Sequence, residues 1–294
     1  MHYPIFYFQC LSGISGDMTV AALLDLGADA SVLQKGLESL HIDGYTIEIS
    51  SVTKCGISAC DFHVHLEPEN TVEAHHHHEH HHEQHPHEHH HHKHHHEHSH
   101  RTLSDILPII DQSAITPSAK ALAKKIFHIV AQAEAKAHHL PPEKVHFHEV
   151  GAIDSIIDIV GANSRPLRLL FAICLDNLGI QKAVFSPIYE GTGHVYCQHG
   201  TLPVPVPAVV NIAEKYHIPL KFTQTPSELV TPTGIAIAAA LYDGTALPSQ
   251  YQIKKTGIGA GKKNLPNANL LRVFLLEDTS QTEQTLWALE TNID

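Results

Sequence analysis

The 294-residue sequence is short of several things, and each shortage narrows what the chain can be. It has 19 basic residues against 31 acidic ones, for a formal charge of −12, and no basic stripe. A phosphate backbone is therefore not its partner, since nothing is present to replace the counterions of a nucleic acid. It has no long hydrophobic run. The most apolar region, Ile156 to Leu178, is interrupted by Asp158, Arg165 and Arg168, so no membrane span is expected. Met1 to Ser12 lacks the basic start and apolar stretch of a secretory signal, and the five cysteines form no CxxC and are odd in number. Free thiols in a reducing compartment follow, and a cytoplasmic location with them. No H-E-x-x-H helix is present, which weakens a zinc-hydrolase reading. Aromatic residues are sparse at 6%, with one tryptophan, but 43% hydrophobic residues over this length suffice for a sizeable core.

What the sequence has in excess is histidine, 30 residues in all. Protonating every one would carry the formal charge from −12 to +18, so the net charge crosses zero where imidazole titrates. Eighteen of them fall within the 26 residues from His75 to His100, among four glutamates and no apolar side chain. Nothing there can be buried, so the stretch is expected to be a disordered, solvated loop. Affinity tags sit at termini and are seldom punctuated by glutamate, so this internal tract reads as natural sequence. Imidazole suits nickel, copper and zinc, and this density makes many overlapping weak sites rather than one shaped site. The tract is expected to collect metal, and its reach of about 30 Å would let it deliver ions to a fixed site on the same chain.

That fixed site is expected in Val145 to Gly161, VHFHEVGAIDSIIDIVG. His146 and His148 point the same way in an extended backbone. Gly151 permits a sharp turn, and apolar residues at 153, 156, 157 and 160 then predict a helix with Asp154 and Asp158 one turn apart. Two imidazoles with Glu149, Asp154 and Asp158 offer what a borderline divalent metal needs. The same residues fit a second reading, in which Asp154 complements the helix dipole and the histidines are half-buried edge residues.

Elsewhere the pattern predicts a mixed sheet packed with helices, an α/β (α+β) chain interrupted by the histidine-rich loop. Ile5 to Gln9 is a strand leading into Ser12-Gly-Ile-Ser-Gly-Asp17. That turn before a helix suits an anion, with Asp17 as a plain N-cap the alternative. Two helices follow, Met18 to Leu26 and Ala30 to Leu40, separated by Gly27 and with Asp29 as a cap. Tyr45 to Ser51 and Ile57 to Leu66 form a strand pair, with His63 and His65 on one solvated face. Helices are predicted over Ser104 to Ser113, broken at Pro108, and over Ser118 to His138 after Thr116-Pro117. A helix from Ile153 to Leu175 is interrupted at Asn163-Ser-Arg-Pro166, and Lys182 to Tyr189 is a strand. Further on, helices run to Tyr216 and from Ile235 to Leu241. The run Gly257-Ile-Gly-Ala-Gly261 with Lys262 and Lys263 resembles a phosphate cradle only loosely, and Val273 to Leu276 is a last strand. The domain reading is an N-terminal α/β part at 1–70, the loop at 71–102, a main α/β part with the metal site at 103–280, and at 281–294 the stub of a further domain, since Thr285 to Asn292 looks like a strand in need of pairing.

Four segments together carry a resemblance: Ser12 to Met18, Phe147 to Ser155, His199 to Pro205, and Glu228 to Gly234. In that order they resemble the nickel insertion proteins of lactate racemase maturation, the LarC family, of which an internal histidine-rich loop is typical. The resemblance implies insertion of Ni(II) into a pyridinium dithiocarboxylate mononucleotide to give the nickel-pincer nucleotide. It also implies use of CTP with Mg or Mn through a C-terminal domain on a longer product or a separate chain, with apo lactate racemase as a possible downstream partner. On this reading His146, His148, Asp158, His194 and His199 are metal-ligand candidates. Glu149 and Asp154 are candidates to take the ring proton, and Ser12, Gly13, Gly16 and Asp17 to hold the nucleotide. The competing reading is nickel storage or delivery without catalysis, in which the histidine tract is the function and the ordered part its scaffold.

Overall fold

The computed structural model describes residues 5–42, 45–66, 102–145, 165–181, 183–197 and 200–280. Its centre is a six-stranded mixed sheet built from β1 (Ile5–Gln9), β2 (Tyr45–Lys54), β3 (Ile57–Leu66), β4 (Val184–Phe185), β9 (Tyr251–Ala260) and β10 (Leu270–Asp278). The order across the sheet is β2-β3-β9-β10-β1-β4. β10 lies antiparallel between β1 and β9, whereas β3 with β9 and β1 with β4 run parallel. Two small sheets complete the strands: β5 (Ile188–Glu190) parallel to β8 (Leu220–Phe222), and β6 (His194–Cys197) antiparallel to β7 (Gly200–Pro203).

Seven α-helices pack with this sheet among the described residues: α1 (Gly16–Leu26), α2 (Ala30–Glu38), α3 (Leu103–Gln112), α4 (Pro117–His138), α5 (Arg165–Asn177), α6 (Pro207–Tyr216) and α7 (Pro232–Leu241). Their limits follow local chemistry. Asp29 caps α2 by accepting from the Ser31 N–H at 2.8 Å, Thr116 caps α4 at the Ala119 N–H, and Gly27 ends α1 in the left-handed region. Helix α7, PTGIAIAAAL, is buried at all ten positions, so it has no polar face and forms the middle of the helical layer. One hydrophobic cluster runs from Phe6 and Phe62 to Ile126, Phe171, Ile237 and Val273. Segments on both sides of the histidine-rich tract therefore share a core. None of the five cysteines is in a disulfide.

Three expectations need correction. Pro108 does not break α3, because its missing N–H releases only the Ser104 carbonyl, and both residues are exposed to water. Lys182 to Tyr189 is not one strand. The chain turns at Ser186-Pro187, where the Ser186 N–H bonds Phe8 O at 2.9 Å, and β4 and β5 go to different sheets. The Gly257 to Gly261 run is not a loop: residues through Ala260 belong to β9, and its glycines admit α1. A Cβ on Gly259 would fall 2.6 Å from Ala22 N and closer still to Met18 O, and one on Gly257 would fall 2.6 Å from Leu26 N.

Candidate functional site

The turn from Leu11 to Ser15 is where distant parts of the chain are tied together. Gly13 has φ +83, and a Cβ there would strike the Leu229 backbone, so only glycine lets the two segments meet. The Ile14 N–H donates to Leu229 O and the Thr231 N–H to Ile14 O, both at 3.1 Å. Ser12 to Met18 and Glu228 to Gly234, two of the segments singled out above, are thereby one structure. A third contact comes from Glu190, whose Oε1 accepts N–H groups of Gly191, Leu229 and Val230 at 2.8 to 3.2 Å.

Between these segments and the end of β9 lies a small open cleft. It is lined by Ser15, Asp17, Glu228, Thr231, Lys262 and Lys263, with Met18, Leu229, Gly261 and Asn269 filling the walls. Ser15, not Asp17, is the N-cap of α1. Asp17 sits in the first turn, buried, where it accepts the Ser15 hydroxyl. Burial pushes the Asp17 carboxyl above its ordinary range, against the Ser15 bond and the Lys262 ammonium, which pull it down. Lys262 Nζ reaches Asp61 Oδ1 at 2.6 Å, and Lys263 Nζ donates to Glu228 O at 2.7 Å with the Glu228 carboxylate 3.7 Å away. Two ammonium groups and three carboxylates thus line or flank one opening. Such a set can hold an anion on its cationic side and accept a proton on the other.

Glu190 has no exposed surface. Its Oε2 has no hydrogen-bond partner among the described residues. Burial raises its pKa to about 7, opposed by the three N–H bonds and assisted by the neighbouring Glu228 charge. The folded-state value exceeds the ordinary 4.5, so its contribution to stability is complete below that pH and is lost as pH rises through about 7. Glu190→Gln should remove this loss, on the order of 3 kcal/mol, leaving urea midpoints at pH 5 and pH 8 closer together than in the parent chain. An unchanged difference between the two midpoints would show that Glu190 stays ionised throughout.

Of the candidates named from sequence, Asp17 lines this cleft, while Ser12, Gly13 and Gly16 belong to the turn and helix start that precede it and do not line it. Ser12 Oγ donates to Ala268 O at 2.7 Å, and Gly16 opens α1. His194 is exposed at the start of β6, opposite Pro203. His146, His148, Glu149, Asp154, Asp158 and His199 lie outside the described residues, as do the histidine-rich tract and residues 281–294. Among the described residues no three His, Cys, Asp or Glu side chains gather to hold a metal ion. Sequence reasoning missed the parts played by Glu190, Glu228, Asp61 and the two lysines. Glu228 and the Lys262-Lys263 pair were visible inside noted motifs, but the pairing of Lys262 with Asp61 spans 201 residues and leaves no local signal.

Residues 6–294 match the family described as nickel insertion protein. The chain is 52% identical over 98% of its length to the pyridinium-3,5-bisthiocarboxylic acid mononucleotide nickel insertion protein of Alkaliphilus metalliredigens, covering 68% of that protein. The proteins of the same name from Clostridium acetobutylicum and Acetivibrio thermocellus are 46% and 40% identical over 99% of this chain, which covers 68% and 65% of them. The chain therefore spans about two thirds of the length of these relatives. No solved structure matches it.

Proposed function

Because the chain belongs to the nickel insertion protein family, we propose that it takes part in inserting Ni(II) into pyridinium-3,5-bisthiocarboxylic acid mononucleotide, the substrate named for its relatives. The observation that carries this reading is the match over residues 6–294 together with the cleft where the family-like segments 12–18 and 228–234 meet.

In this proposal the nucleotide phosphate lies against Lys262 and Lys263, beside the Ser12-Gly13 turn and the Gly16-Asp17 helix start. The helix terminus alone is a poor anion site, because the Asp17 carboxylate already occupies it. His146 and His148, with Asp158, His194 or His199, present Ni(II) to the two sulfurs of the substrate. Insertion breaks a ring C–H bond, its electron pair becomes the nickel–carbon bond, and the proton passes to a carboxylate. Nickel remains Ni(II), so no redox partner is needed. Glu149 and Asp154 are the proposed proton acceptors, and the raised pKa of Asp17 suits the same task. Use of CTP with Mg or Mn is assigned here to the third of the relatives that this chain does not span, and transfer of the product to lactate racemase apoprotein is its onward step.

The test is to supply the dithiocarboxylated mononucleotide with Ni(II), CTP and Mg or Mn, with and without the remaining third of a relative, and to follow the metallated nucleotide by mass spectrometry. A chain lacking 75–100 should give product at the parental rate at saturating nickel and a lower rate when nickel is scarce. Bound nickel without any change in the nucleotide, under every condition, would leave storage or delivery as the function.

A further inference from the structure

The outward face of the β2–β3 hairpin carries a second group of ligand-type side chains, away from the cleft but joined to it. Along β3, Phe62 and Val64 are buried while Asp61, His63 and His65 turn outward. The two imidazole rings stand edge to face with centroids 4.4 Å apart. His65 Nε2 lies 2.6 Å from Glu48 Oε2, and Glu48 is the residue opposite His63 in the strand register. With Nε2–H donated to Glu48, the lone pair of His65 is on Nδ1. A carboxylate that fixes one imidazole nitrogen in this way is the usual support of a metal-ligating histidine.

We propose that His63 and His65 form a two-imidazole surface site for a borderline divalent cation, Ni(II) above all, with Glu48 orienting His65 and water completing the coordination shell. A His-x-His pair on one strand face brings two nitrogen donors to one ion without rearranging the backbone. With only two protein ligands the site is open and exchanges its ion readily. Its position gives it a use. Asp61, next in the same outward column, binds Lys262, which lines the cleft, and the histidine-rich tract begins at His75, nine positions beyond Leu66 in sequence. In this proposal the pair serves as a way station for metal bound for the cleft. That role rests on the nickel-insertion reading, while the site itself does not.

Residue-resolved carbethoxylation of the full chain by diethyl pyrocarbonate, read by peptide mass spectrometry with and without Ni(II), separates this pair from the other histidines and needs no turnover. Nickel should protect both His63 and His65, and Ca(II), which prefers oxygen donors, should protect neither. In His63→Ala, His65 should regain its metal-free labelling rate even with nickel present. In Glu48→Gln, the nickel concentration for half-protection of His65 should rise about tenfold. Labelling of His65 that ignores nickel, or protection that survives His63→Ala, would overturn the proposal. Because no product is measured, either outcome is independent of whether the mononucleotide is metallated.

Discussion

Gly259→Ala is expected to remove a large share of the stability of the chain. In most strands an alanine for a glycine is harmless or helpful, because the β region suits it. Here the added Cβ would meet backbone on the facing helix, 2.6 Å from Ala22 N and nearer to Met18 O, and neither atom can swing aside as a side-chain tip could. Helix α1 would have to lift from β9, breaking the burial of Met18, Ala22 and Leu23 in one movement. Overpacking that forces backbone shifts costs about 1 to 3 kcal/mol or more, and losing part of the helix contact adds to it. Against a total stability of about 5 to 15 kcal/mol for an ordinary domain, the variant should lose 3 kcal/mol or more by urea denaturation. The cleft would suffer even where the chain still folds, because Ser15 and Asp17 ride on the same helix start. An unfolding free energy within about 0.5 kcal/mol of the parent would mean that α1 and β9 are not in close contact.

The second large effect is expected at residues 146 and 148. Replacing both histidines by alanine should abolish the metallated nucleotide while total nickel binding stays high. The two quantities should separate because 18 of the 30 histidines are in the 75–100 tract, whose proposed metal collection does not depend on the shaped site. Metal must be presented to the substrate with two coordination positions open for sulfur, and carboxylates alone hold nickel less well than imidazoles do. Urea denaturation of the double variant that matches the parent would exclude unfolding as the cause. If the double variant in a chain lacking 75–100 forms product normally, the ligands lie elsewhere, with His194 and His199 the next pair to replace.

Much of the fold was legible because its signals are local. The Thr116-Pro117 helix start, the Asp29 cap, the Gly27 stop and the alternation over Ile57 to Leu66 each need only a few neighbouring residues to be read. The membership in the nickel insertion family was legible for a different reason: four short segments in a fixed order are specific as a set, though each is weak alone. What could not be read was the work of residues far apart in the chain. Gly257 and Gly259 resembled a phosphate cradle only loosely and gave no sign of their helix contact, since glycine that admits a helix and glycine that admits an anion are identical in sequence. Glu190 gave no sign that it fastens the Leu229-Val230 backbone, a partner 39 residues away. Ser15 displaced Asp17 as the N-cap because the hydroxyl and the carboxylate satisfy each other, a choice that composition alone cannot make.

The order of strands in the main sheet also governs how the molecule can be made. β9 and β10 fill the middle of that sheet, between β3 on one side and β1 on the other, although they come last in sequence among its described strands. Until the ribosome has released Tyr251 to Asp278, β1 and the β2–β3 hairpin cannot share a sheet, and each presents open backbone along the edge that β9 or β10 will later cover. Emerging chains with bare edges are the species that pair with one another. Synthesis of this protein therefore carries an interval of aggregation risk that closes only when β9 and β10 are in place. A trigger-factor or Hsp70 type of chaperone acting on the nascent chain would have its greatest effect in that interval.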